Sequence, residues 1–358
     1  MEFKRYFFRF KKDVWAIGSS LFILFISLFA IFAYVLAPDK TKFANQMHLS
    51  IHSNPPGFSC KMLLIPNVDQ KAQSSVFFGR LNANEEIPVS DIRWLASSLE
   101  YKRFGNAIDY YEEISFDRFP LVQNKTDIAS QYIYKKTFLL GTDKYGRDLL
   151  SRLLVGSRIS ISIGFVAVFI SLIVGVSLGA IAGYFGGWTD RLILWLINVV
   201  WSIPTLLMVI AITLALGRGY WQVFVAVGLT MWVEVARLVR GQVKSIKEGL
   251  FIQASTALGF SRIRILVHHI LPLVIAPLIV ISAANFASAI LMESGLSFLG
   301  IGAQPPMPSW GGMVKDHFRY LLLGKPYLAI LPGLAIMSLV LAFMTLGNSL
   351  RDILDVKV

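Results

Sequence analysis

Six stretches of this chain run long without a charge: 14–37, 159–189, 192–217, 219–233, 270–292 and 326–350. A helix crossing ~30 Å of hydrocarbon needs about 20 apolar residues. Five stretches reach that length. The fourth reaches it only by continuing past Glu234 through Val235 and Ala236. The pattern therefore predicts about six transmembrane helices. The first run follows Lys4, Arg5, Arg9, Lys11 and Lys12 in the manner of a leader peptide. It outlasts the roughly 7–15 apolar residues of a cleaved leader, so an uncleaved helix is expected.

Between the first two runs the pattern changes. The segment 38–137 mixes charges of both signs with aromatic residues, among them Phe77, Phe78, Trp94, Tyr101, Phe104, Tyr110, Tyr111, Phe116 and Phe119. Disordered segments are poor in such residues, so a small folded subdomain is expected. Within it, 85–100 has mixed helical character and 114–122 alternates loosely like a strand. The predicted organisation is a tail (1–13), a first membrane helix (14–37), an insert (38–137) and a five-helix core (138–358).

Composition supports a membrane class. Of 358 residues, 55% are hydrophobic and 16% charged, against roughly 25% charged in soluble domains. Mean hydropathy is +0.61. The net charge of +12 could suit nucleic acid, but the basic residues cluster in the N-terminal tail and at Arg237, Arg240, Lys244, Lys247, Arg262 and Arg264. In a membrane protein such clusters mark cytoplasmic segments, and no nucleic-acid partner is expected. Both termini and the 237–270 loop are then cytoplasmic, and the insert is extracytoplasmic. Cys60 is the single cysteine, so no internal disulfide can hold the insert.

After the fourth run the chain reads EGLFIQASTALGFSRIRILVHHILP over 248–272. Good helix formers end at Gly259, which suits the left-handed residue that closes a helix. Ser261 is an N-cap type, and Pro272 suits the start of the next span. Ala254 and Ala257 are small residues on neighbouring turns, which permits close approach of another surface. Two readings remain open on the residues alone: a short helix docked in a partner, or an amphipathic helix lying on the membrane.

This segment resembles the EAA loop of binding-protein-dependent ABC importers, through Gln253, Ala254, Ser255, Ala257, Leu258, Gly259 and the Ile270-Leu271-Pro272 ending. Gln253 and Ser255 stand where the pattern has glutamate and alanine. Other stretches resemble the dipeptide and oligopeptide permease branch: GTDKYGRDLLSRLLVGSRIS at 141–160, SIPTLL at 202–207, ARLVRGQV at 236–243, ESGLSFLGIGAQPPMPSWGGM at 293–313 and LGNSLRDILD at 346–355. The branch's final Asp-Pro is Asp355-Val356 here, and 38–137 is not covered. The resemblance implies an all-α polytopic protein of the type I ABC importer permease kind, in a bacterial cytoplasmic (inner) membrane, with an extracytoplasmic insert after helix one. It implies as partners a homologous permease subunit, two cytoplasmic ATPase subunits, an extracytoplasmic substrate-binding protein and membrane lipid. The ATPase-coupling residues would be Gln253, Ala254, Ala257, Leu258 and Gly259. The cargo would be a di- or oligopeptide, although related systems carry nickel or other small solutes.

Charges inside spans are expensive and default to function. Glu293 is the candidate for the translocation path, Glu234 also falls inside a span, and Arg237 suits an interfacial position. Asn198, Asn285 and Asn348 suit helix–helix hydrogen bonds, and Gly175, Gly179, Gly183, Gly186 and Gly187 suit close helix packing. His268 and His269 are adjacent and make a poor metal pair, and no metal or cofactor site is expected. No Gly-x-x-x-x-Gly-Lys-Ser/Thr loop occurs, since Gly324-Lys325 is followed by Pro326, so any ATP site belongs to other chains. The alternative is a stand-alone secondary transporter or channel, which predicts ionisable relays and internal symmetry that the sequence lacks. An intramembrane enzyme would need a catalytic constellation, and none is present.

Overall fold

The structure is a computed structural model that describes residues 2–66, 74–75, 78–80, 84–105, 109–119, 125–217 and 219–354. Phe77, Arg218, Asp355, Val356 and the end of the 114–122 segment lie outside the described residues.

The chain opens with α1 (Glu2–Lys12), a helix where the sequence suggested only a tail. Asp13 then caps α2 (Val14–Ile31), its carboxylate accepting from the backbone N–H groups of Trp15 and Ala16 at 2.9 and 3.1 Å. A short helix, α3 (Ala33–Leu36), completes the first span. Leu21, Leu24, Phe25 and Leu28 remain exposed on α2, as expected for a helix wetted by hydrocarbon on most sides.

The insert is built on a sheet. Strands β1 (Phe58–Ile65), β4 (Glu85–Trp94), β5 (Ser98–Arg103), β6 (Glu112–Ser115) and β7 (Ile133–Phe138) form one antiparallel sheet in the order β6-β5-β4-β1-β7. A separate two-stranded ribbon pairs β2 (Ser74–Ser75) with β3 (Gly79–Arg80). The helical character expected for 85–100 is corrected: these residues are β4, a turn and the start of β5. Buried Ile87 and Val89 alternate at the period of a strand, and a bulge between Val89 and Asp91 shifts the alternation, which masked it in the sequence. One helix, α4 (Lys125–Tyr132), packs Ile128 into a core with Leu63, Val89, Leu99, Tyr101 and Phe119. Cys60 is buried beside Met62, Ile51 and Phe138, and burial pushes its thiol up to about 11.

Polar ties join the insert to the helices. Buried His48 lies 3.9 Å from Glu86 of β4, to which Lys136 Nζ of β7 donates at 2.8 Å, and burial drives the His48 imidazole down to about 4. The Asp39 N–H donates to Ser151 Oγ at 2.8 Å, Arg147 donates to Asp143 (2.6 Å) and Asn45 (3.0 Å), and the Tyr327 hydroxyl donates to the Asn54 carbonyl at 2.7 Å. The motif at 141–160 is thus largely a clasp.

The core begins with α5 (Leu149–Phe185), 37 residues and ~55 Å long. Asp148 caps it, and it starts ten residues before the uncharged run because Arg152 is buried against Asp143 and the Phe43 and Ala44 carbonyls. Gly186 and Gly187 then adopt φ +67° and +59° with open space where a Cβ would stand, so they turn the chain and do not pack helices. The third run is broken into α6 (Gly187–Trp201) and α7 (Thr205–Leu216), inclined at 91°. Pro204 has no N–H to donate and disfavours helical geometry at Ile203, which places the break in the SIPTLL stretch.

Helix α8 (Tyr220–Lys247) runs straight through the basic cluster that the sequence assigned to a loop. Its charges find partners at that end: Arg240 donates to Asp190 (2.7 Å through Nη2) and Lys247 to the Tyr184 carbonyl (2.6 Å). A Cβ at Gly175, Gly179 or Gly183 would lie 2.6 Å from Val235, 2.5 Å from the Ala236 carbonyl and 2.7 Å from the Arg240 carbonyl, respectively. Glycine every four residues therefore lets α5 and α8 approach backbone to backbone.

After α9 (Leu250–Ala257), α10 (Arg262–Arg264), a π-helical stretch (Ile265–Ile270) and α11 (Leu271–Leu299) run on as one 38-residue helix. The widened turn precedes Pro272, whose missing donor and ring would break regular pairing there. Helices α12 (Trp310–His317) and α13 (Tyr327–Leu354) finish the bundle. Among the described residues, five helices are long and apolar enough to cross a membrane, and a sixth span forms if α6 and α7 count as one.

Candidate coupling segment and translocation residues

The 248–272 segment lies at the far end of α5 from the insert. Gly259 has φ +78°, the Phe260 N–H donates to the Ser255 carbonyl (3.2 Å), and the Gly259 N–H donates to that of Thr256 (3.0 Å). These two bonds form a Schellman closure of α9. Two residues later the Ser261 hydroxyl accepts from the Arg264 N–H and starts α10. One face of the segment is anchored: Ile252, Ile265 and Ile270 are buried with Tyr184, Val239 and Val243 from the ends of α5 and α8.

The other face is bare. Gln253, Ala254, Ala257 and Gly259 are exposed, Leu250 and Leu258 are 82% and 75% exposed, and Ile263 is 73% exposed. Among the described residues, Gln253 donates only to the Glu248 carbonyl, at 3.2 Å. A cleft of about 350 Å³ between Tyr184, Lys247, Gln253, Thr256 and Ala257 opens beside this face. Large apolar side chains clustered among charges mark an interaction surface, and the anchoring means that a push on it reaches α5, α8 and α11 directly.

The candidate path residue, Glu293, is buried. Glu293 is 1% exposed, its Oε1 accepts from Ser297 Oγ at 2.6 Å, and Ser309 Oγ donates onward to Ser297 at 3.2 Å. It is enclosed within the chain, tying α11 to the loop before α12. Trp310 continues this tie, its indole N–H donating to the Leu153 carbonyl at 2.9 Å. The 293–313 motif is thus a second clasp in this conformation. Glu234, by contrast, is exposed on α8 beside the α6–α7 break. Asn198 accepts from Arg237 at 3.4 Å, whereas buried Asn285 leaves its Nδ2 without a partner among the described residues and Asn348 is exposed.

The signature of the family described as "Binding-protein-dependent transport system inner membrane component" matches residues 175–358, which is just over half the chain. The chain belongs to this family. A second signature, the N-terminal transmembrane domain of oligopeptide transport permease C, matches residues 3–56. As a member of the transport family, the chain is a multi-pass inner-membrane component. It is similar to the dipeptide transport system permease protein DppC of Alkalihalophilus pseudofirmus, 43% identical over 217 residues, 61% of this chain and 71% of the relative. It is also similar to the glutathione transport system permease protein GsiD of Pectobacterium atrosepticum, 40% identical over 218 residues, 61% of this chain and 72% of the relative. Among solved structures, the inward-facing MetNI methionine ABC transporter is similar with a TM-score of 0.47 and 18% identity, over 56% of this chain and 95% of that chain.

Proposed function

We propose that this family member is the permease subunit of an ATP-driven importer of di- and oligopeptides, working with a homologous permease subunit, two cytoplasmic ATPase subunits and an extracytoplasmic binding protein. The observation that carries the reading is the bare apolar face of α9 and the Gly259 turn, rigidly joined to three long helices. The names of the relatives, for dipeptide and glutathione transport, support a peptide cargo. Gln253, Ala254, Ala257, Leu258 and Gly259 are the contact with an ATPase, and ATP-driven closure of the ATPase pair tilts α8 and α11 between outward and inward access. Both termini and Gly259 face the cytoplasm, and the sheet faces outward, where the binding protein delivers solute.

Affinity purification of the full chain should bring down ATPase chains and a second permease. A shortened chain tests delivery. Phe58 and Phe138 are paired neighbours across β1 and β7, so an Asn-Gly hairpin turn can replace 59–137 without moving either end. That chain should retain its partners and membrane abundance, with peptide uptake reduced severalfold. Normal uptake would remove the insert from delivery, and a chain that brings down no ATPase would end the reading as an importer subunit.

Orientation has a separate test. Native Cys60 is a poor probe, because it is buried and its thiol is held protonated. Tyr110, 60% exposed on the insert, serves instead. Tyr110→Cys in a Cys60→Ser chain should react with an impermeant maleimide in spheroplasts without permeabilisation. Reaction only after permeabilisation would invert the proposed topology.

A further inference from the structure

Glu234 precedes Arg240 by six residues on α8, so it stands ~9 Å further along the helix from the end held by the Arg240–Asp190 pair. The buried face of α8 beside it, through Val235, Val239 and Val243, packs with Ala180 and Tyr184 of α5. Glu234 instead lines a hollow of about 130 Å³ between the α6–α7 break, α8 and α11, together with Thr205, Met208, Thr230, Ser288 and Met292. Among the described residues, no hydrogen bond or ion pair engages its carboxylate. The nearest cation along the helix is already committed: Arg237 lies 3.6 Å over the Trp201 ring and donates to Asn198.

A carboxylate inside a membrane span is costly unless a cation meets it, and such groups mark solute paths. A helix interrupted within the membrane exposes backbone groups that transporters use for solute contact. Both features meet at this hollow. It is too small for a peptide but large enough for one terminal residue, with hydroxyls for the polar end and methionine side chains that adapt to varied shapes. We propose that Glu234 and this hollow receive the primary ammonium group of the solute in transit, the amino end of a peptide. The assignment rests on the peptide reading for the identity of the solute, and on geometry alone for its charge.

Two measurements on the assembled transporter in lipid test it. The first needs no transport: dicyclohexylcarbodiimide labelling of Glu234, read by mass spectrometry. Alaninamide at millimolar concentration, which carries an ammonium and no carboxylate, should slow this labelling about fivefold, the protection given by a ligand at about four times its dissociation constant. Neutral N-acetylalaninamide should leave it unchanged. The second is uptake of trialanine into proteoliposomes with saturating binding protein. Glu234→Gln should lower the maximal rate about tenfold, with the half-saturating concentration of binding protein unaltered, the split expected when a contact made during transit is lost. Glu234→Asp should recover most of the rate. Labelling indifferent to alaninamide, or wild-type trialanine uptake by Glu234→Gln, would overturn the proposal. Loss of the partner chains from Glu234→Gln would also overturn it, by making Glu234 a subunit ion pair. If the wild-type complex carries no trialanine while alaninamide still protects Glu234, the peptide reading fails and the ammonium site stands.

Discussion

Gly259→Asp is expected to reduce uptake to background in membranes that hold a normal amount of the chain. The left-handed backbone at this residue, φ +78°, costs a residue with a Cβ about 1 kcal/mol, and aspartate tolerates it better than most residues. No described atom lies within 4 Å of a Cβ built there, so the chain itself has room for the substitution. The damage must then fall on whatever covers the turn. A carboxylate projecting beside Leu258 and Leu250, both largely exposed, would meet a docked surface with an unpaired charge, which costs several times the backbone penalty. Gly259→Ala adds only the Cβ and should lose part of the uptake. Gln253→Glu should stay close to wild type, because it places glutamate where the loop pattern that this segment resembles has one. Immunoblotting, ATPase co-purification and uptake separate these outcomes. Wild-type uptake by Gly259→Asp at normal abundance would remove the coupling role from the segment.

The turn at Gly259 was legible in the sequence because its signal is local: helix formers, a glycine, then a hydroxyl cap, all within about a dozen residues. Spans were legible for the same reason, since hydrocarbon tolerates few charges in any window. Their ends were not. Arg152 at one end of α5 and Arg240 at one end of α8 look like loop residues in a one-dimensional pattern, yet each sits on a helix because the fold brings partners to it: Asp143 with the Phe43 and Ala44 carbonyls for the first, Asp190 for the second. Strand β4 was hidden by the bulge at Val89–Asp91, which breaks the alternation on which a strand is recognised. The difference between the two intramembrane acids was hidden for a related reason. Glu293 and Glu234 are equal as intramembrane acids, and only the fold encloses the first behind Ser297 while leaving the second beside the α6–α7 break. The signal that could have singled out Glu234 is Pro204, which marks where a span must open.

Gly179→Leu should nearly eliminate the chain from the membrane. In an ordinary helix the exchange would be favourable, because leucine is a better helix former than glycine by somewhat under 1 kcal/mol. Here the Cβ would stand 2.5 Å from the Ala236 carbonyl oxygen, 2.9 Å from Val239 Cβ and 3.0 Å from Ala236 Cα. Two of those three atoms are backbone, so no rotamer change on α8 can yield, and the helices must separate. Overpacking of a core costs about 1–3 kcal/mol where side chains can adjust. A backbone contact repeated at Gly175 and Gly183 on either side lies at or above the top of that range, because displacing one turn loosens both neighbours. The packing term therefore outweighs propensity several times over. Gly241 is the internal control: it lies on the exposed side of α8 with no described atom within 4 Å of a built Cβ, so Gly241→Leu should accumulate at least as well as wild type. Membrane abundance and retention of a monodisperse elution peak after heating in detergent read both variants. Equal behaviour of Gly179→Leu and Gly241→Leu would show that α5 and α8 are not held together backbone to backbone. The opposite ranking from simple helix propensity is the signature of the glycine row.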